Sequence, residues 1–139
     1  MDAVAAGEFI EYSSVHENIY GTSFASVSLV QQSNRICILD IDAEGAEKVK
    51  ESDLDPYLIF IAPPSMDALE ERLRGRKTET EEAIQRRLAN AQVELDRGLS
   101  VRNNFDSIVV NEDLSIAVDE LVSFILEVYP TLKGNLLAR

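Results

Sequence analysis

Ile36-Cys37-Ile38-Leu39-Asp40-Ile41-Asp42 is an apolar run that ends in two acids set two residues apart. A short, continuous, isoleucine-rich run of this kind predicts a strand buried on both faces, as in a parallel sheet covered by helices. Side chains alternate along a strand, so Asp40 and Asp42 are expected on the same side. In open parallel sheets ligands bind beyond the carboxyl ends of the strands, which makes both acids candidate site residues. The alternative is a strand end that meets water.

Upstream of this run, residues 9–12 read as a short strand, and the polar, turn-rich stretch 13–23 reads as a functional loop. Ser23 is placed to cap a helix through about residue 32, because Phe24, Val27 and Val30 recur at three-residue spacing. Downstream, residues 45–51 predict a short helix and residues 57–62 a second buried strand, closed by Pro63 and Pro64. Ser65 is a helix cap, with Met66, Leu69 and Leu73 on one face of the helix it starts. Thr78 and Glu81 have capping-box spacing, so a long helix is predicted from there to about Arg97. Its apolar stripe is Ile84, Leu88, Ala91 and Leu95, and Gly98 is its expected stop. Residues 107–110 predict a strand, followed by a final helix in which Leu114, Ala117, Val118, Leu121, Ile125 and Val128 repeat until Pro130. Strands alternating with helices imply an α/β fold with parallel strands.

With 139 residues, 45% of them apolar and 27% charged, the chain is long enough for one domain with a real core. No apolar run approaches the roughly 18 residues of a membrane helix. The formal charge of −12, with no basic run to override it, opposes binding to phosphate backbones, so neither a membrane nor nucleic acid is an expected partner. Cys37 is the only cysteine and lies inside the apolar run, where a core thiol is the expected role. His16 is the only histidine, which leaves no multi-histidine metal site. The first seven residues have neither the basic region nor the hydrophobic stretch of a signal peptide, and a reducing, cytoplasmic compartment is expected.

Several motifs occur in order: Gly7-Glu8-Phe9-Ile10-Glu11-Tyr12, Tyr20-Gly21-Thr22-Ser23, Ile38-Leu39-Asp40-Ile41-Asp42, Ile61-Ala62-Pro63-Pro64-Ser65, Gly75-Arg76 with Thr78-Glu79-Thr80-Glu81-Glu82, and Val110-Asn111. Together, over residues 4–125, they resemble guanylate kinase. The resemblance implies a P-loop kinase-like parallel sheet flanked by helices, with a GMP-binding insertion and a lid. It implies one domain over residues 1–139, with about 1–33 in the GMP-binding insertion, about 74–90 in the lid region and the remainder in the core. The implied reaction moves a phosphoryl group from ATP to GMP with Mg2+.

The sequence also departs from that family. No G-x-x-x-x-G-K-S phosphate loop is present, since glycine occurs only at positions 7, 21, 45, 75, 98 and 134. The fold is therefore expected to be incomplete, an N-terminally truncated copy whose activity is impaired. Glu17 and Lys77 stand where the family usually or often has glycine.

By resemblance, Glu11 accepts both donors on the pairing edge of guanine, N1–H and the 2-amino group, and Thr22 donates to O6. Tyr20 resembles the tyrosine that binds the GMP phosphate, and Asp42 an acid in the same site. Asp40 is expected to face the phosphates, the metal waters or the absent loop lysine. Arg76 and Arg87 match the lid arginines that neutralise charge on the passing phosphoryl. Arg72, Arg74 and Arg86 are expected to be solvated or paired with nearby glutamates. Asn111 resembles the adenine-side asparagine, with a plain helix cap as the alternative. A rival reading is a non-catalytic guanylate kinase-like protein-interaction module, and the retained lid residues favour the kinase.

Overall fold

The computed structural model describes residues 6–15, 18–33, 35–76, 79–100 and 105–132. Thr78, His16 and Glu17 lie outside them, as does the side chain of Arg97. Contacts divide the chain into two compact units, Met1–Pro56 and Tyr57–Arg139.

In the first unit β1 (Phe9–Val15) and β2 (Asn18–Ser23) pair antiparallel, with Glu11 opposite Thr22 and a register irregularity between Phe9 and Glu11. The expected loop over residues 13–23 is thus mostly strand. Its polar residues lie on a two-stranded ribbon whose second strand carries little apolar surface, so the period-two pattern that signals a strand is weak. Gly21 makes the close pairing possible. A Cβ at this position would lie within 3 Å of the Glu11 carbonyl oxygen, the Tyr12 Cβ and the Phe9 ring.

Helix α1 (Phe24–Gln32) begins at Ser23 as expected, the hydroxyl accepting from the Ser26 amide at 3.2 Å. Helix α2 (Ala43–Lys50) packs against β1. Between them, residues 36–42 form no strand ladder with any described residue. Their burial still alternates as a strand's does. Cys37, Leu39 and Ile41 pack against the core of Ile10, Val27 and Val49, joined by Leu54, while Ile38 is 74% exposed and Asp40 and Asp42 share its exposed side. The expectation of a strand buried on both faces is corrected: one face is covered, because the described core packs against one side alone.

In the second unit β3 (Ile59–Ala62) and β4 (Ser107–Val110) pair parallel, Ile59 opposite Ser107 and Ala62 opposite Val110. Asp106 fastens their entry, its carboxylate accepting from the Leu58 amide at 2.7 Å while its own amide donates to the Leu58 carbonyl at 2.8 Å. Ser65 caps α3 (Met66–Gly75), with its hydroxyl 3.1 Å from the Ala68 amide. Helix α4 (Glu81–Ser100) packs on α3 and buries Ile84, with Leu88, Ala91 and Leu95 half-buried along the same stripe.

At the start of α4 Thr80 accepts from the Ala83 amide at 3.3 Å, and the capping role expected of Thr78 lies outside the described residues. The expected stop at Gly98 is corrected: the helix runs to Ser100, because a lone glycine weakens a helix without ending it. Helix α5 (Leu114–Val128) packs on β4 and ends before Pro130. The architecture is α/β, and the strand–helix alternation read from the sequence is present in this unit.

Candidate nucleotide site

Glu11 and Thr22 meet as cross-strand partners on the β1–β2 hairpin, where the Thr22 hydroxyl donates to Glu11 Oε1 at 2.7 Å. Both are half-buried. Tyr20 lies two residues before Thr22 and therefore on the same face, and it is 61% exposed. The hairpin thus presents a carboxylate with one oxygen engaged, a hydroxyl and an open phenol along one surface. On the opposite side Tyr12 is approached by the Lys48 ammonium, 5.9 Å from the ring centroid. The hydrogen bond that Lys48 donates to Glu44 raises the pKa of Lys48.

Asp42 has a structural duty that the sequence reading did not include. Its Oδ1 accepts from the Gly45 amide at 2.8 Å and caps α2, leaving the second oxygen for other partners. Asp40 is exposed.

The arginines lie in the second unit. Arg87 forms an ion pair with Glu79, its Nε 2.9 Å from the carboxylate, and Arg76 sits exposed at the C-terminal cap of α3. Among the described residues the Arg76 guanidinium has no side-chain partner. Arg74 is held by Glu70 and by both carboxylate oxygens of Glu81, one contact at 2.7 Å. The hydrogen bond from Arg74, then that from Gln85, takes the Glu81 carboxyl down to about 2, and the same carboxylates raise the pKa of Arg74. Arg74 is thus paired with glutamates as expected, whereas Arg72 instead donates to the carbonyls of Asn111 at 2.7 Å and Glu112 at 3.0 Å.

Asn111 follows β4 directly and its amide donates to the Ala62 carbonyl at 2.8 Å. The helix-cap alternative is corrected. Asp113 caps α5 by accepting from Ser115 and Ile116, which leaves the half-buried Asn111 amide side chain free of that duty. Sequence reasoning missed the partnership of Glu79 with Arg87 because Glu79 precedes α4 and no helical spacing links the two.

The guanylate kinase family model matches residues 1–128. The chain belongs to the guanylate kinase family. Guanylate kinase from Sus scrofa is 47% identical over 114 residues, covering 82% of this chain and 57% of that protein. Guanylate kinase from Homo sapiens is 45% identical over 118 residues, 85% of this chain and 59% of that protein. Guanylate kinase 1 of Arabidopsis thaliana is 53% identical over 108 residues, 78% of this chain and 28% of that protein. The crystal structure of guanylate kinase from Anaplasma phagocytophilum matches with a TM-score of 0.63 and 29% identity, over 92% of this chain and 59% of that one. The chain therefore has an α/β, P-loop kinase-like fold and spans less than two thirds of the length of each of these guanylate kinases. Among the described residues no helix is long and apolar enough to cross a membrane.

Proposed function

We propose that this chain supplies the GMP-reading hairpin and the lid of an ATP:GMP phosphotransferase. The observation that carries the reading is the Glu11–Thr22 pair, half-buried and fixed across two strands beside the exposed Tyr20. Guanine offers N1–H and a 2-amino group side by side, and a carboxylate can accept both. The Thr22 hydroxyl has one proton and donates it to Glu11 here, so binding would rotate it towards O6 as the base takes over Glu11. Tyr20 would meet the GMP phosphate. Asp42 would meet GMP through the oxygen its cap leaves open.

Phosphoryl transfer depends on positioning and on neutralising charge. Arg76 and Arg87 are the residues assigned to it, their planar donor forks suited to phosphoryl oxygens. Arg87 would exchange Glu79 for the phosphoryl group. Asn111 would serve the adenine side. In this reading residues 1–139 act as one domain, with about 1–33 in the GMP-binding part and about 74–90 in the lid region.

Among the described residues no cluster of three or more His, Cys, Asp or Glu could hold a metal ion. Mg2+ keeps several waters and is held mainly by substrate phosphates with one or two carboxylates. Asp40, exposed, is the carboxylate that would face those waters, and the ion would offset phosphate charge. We place the protein in a reducing, cytoplasmic compartment, in keeping with its single thiol, and its charge of −12 opposes nucleic acid as a partner.

The 139 residues contain no phosphate-loop motif, so on their own they are not expected to turn over. The test joins this chain to the phosphate-loop segment of a guanylate kinase relative and follows ADP and GDP formation. GMP-dependent turnover that Glu11→Ala abolishes is expected. Turnover indifferent to Glu11→Ala would contradict the assignment.

A further inference from the structure

Helix α5 carries more apolar surface than its own unit covers. Ala117 is its buried residue, while Leu114 and Ile116 are 70% and 61% exposed. Between α5 and β4 runs an open groove of about 480 Å³, with Ile108, Ile116 and Phe124 on its floor and Asp119, Glu120 and Glu127 along it. Among the described residues no lysine or arginine lines it. Ile116, Glu120, Phe124 and Glu127 follow one another at helical spacing, so floor and carboxylates form a stripe about 16 Å long at 1.5 Å per residue.

We propose that this groove docks a basic amphipathic helix, an apolar stripe flanked by lysine or arginine. Charge complementarity selects that occupant. A second copy would bring another net −12 charge against three carboxylates, and an anionic lipid surface would meet the same repulsion. A small apolar ligand needs a site that encloses most of its surface, whereas an open groove three helical turns long suits a helix laid along it. The proposal is independent of the kinase reading, since none of the six residues is assigned to GMP, ATP or the lid.

The test is fluorescence anisotropy on the 139-residue chain with a labelled leucine/lysine amphipathic peptide of about 14 residues, matched to the stripe length. A leucine/glutamate peptide of the same length is the comparison, and both are measured at physiological salt. Glu120→Lys and Ile116→Ser alter exposed groove positions. Glu71→Lys makes the same charge change on α3, outside the groove. Expected are saturable one-to-one binding of the basic peptide, loss of about tenfold in affinity for each groove variant, and less than about twofold for Glu71→Lys. Equal weakening by Glu71→Lys, equal binding of the acidic peptide, or no saturable binding would overturn the proposal. So would self-association of the chain that Ile116→Ser abolishes, because the groove would then belong to a second copy.

Discussion

The β1–β2 hairpin and the segment around α3 and α4 hold their polar groups in opposite ways. On the hairpin, Glu11 and Thr22 are half-buried, joined by a 2.7 Å hydrogen bond and fixed by strand register, with Gly21 permitting the close approach. Around α3 and α4, Arg74 and Arg87 are exposed and held by carboxylates of Glu70, Glu81 and Glu79, and the Arg74 contacts are open to solvent screening. The contrast teaches that strand register can hold two polar side chains together in advance of any ligand. Of the two arginines proposed for charge neutralisation, Arg87 would first have to release Glu79, whereas Arg76 has no such partner among the described residues.

The largest expected effect breaks the comparison on the lid side. In the chain joined to a phosphate-loop segment, Arg76→Ala and Arg87→Ala should each lower kcat by roughly a hundredfold with GMP affinity little changed, since interactions made mainly in the transition state appear in kcat. Steady-state kinetics check this, and near-normal kcat in either variant would return that arginine to the surface. On the hairpin side, Glu11→Gln replaces an acceptor by a donor facing a donor. It should weaken GMP binding by about tenfold to a hundredfold, the equivalent of about 1.5–3 kcal/mol for a hydrogen bond to a charged group. Calorimetric titration reads it directly.

Gly21→Ala sharpens the claim that the ribbon is rigid by necessity. The added methyl meets backbone and side-chain atoms within 3 Å, and the variant should lose about 1–3 kcal/mol of stability in urea unfolding, as overpacking does. An unchanged midpoint would show that the two strands can separate at no cost.

The smallest effect concerns Glu81. Its folded-state pKa of about 2 lies below the ordinary 4.5, so its contribution to stability is present above about 4.5 and is lost as pH falls towards 2. The Tm difference between the native chain and Glu81→Gln should therefore be visible at neutral pH and shrink through that window. A difference independent of pH would place its origin outside the Arg74 pair.

How much of this was legible depended on whether a signal was local. Ser23 and Ser65 were read correctly as caps because a cap is set by the residues beside it. The last helix and β4 were legible from unbroken periodicity. The run 36–42 has the composition of a buried strand, yet burial on two faces depends on what lies beside it, which no local pattern encodes. The strand β2 was hidden because its polar residues lack alternating hydrophobicity. At the site, the resemblance assigns Glu11, Thr22 and Tyr20 to one nucleotide, and the pairing of β1 with β2 brings them onto one face. The pairing of Arg87 with Glu79 and the grip of Arg72 on the carbonyls of Asn111 and Glu112 are products of tertiary placement.

The most direct test of the central claim, that a fixed Glu11–Thr22 ribbon reads guanine, is calorimetric titration of this chain with GMP and with AMP under the same conditions. The account predicts that GMP binds at least about a hundredfold more tightly, because adenine has neither N1–H nor a 2-amino group and leaves the Glu11 carboxylate facing an unmatched edge. Comparable affinities for the two nucleotides would contradict it.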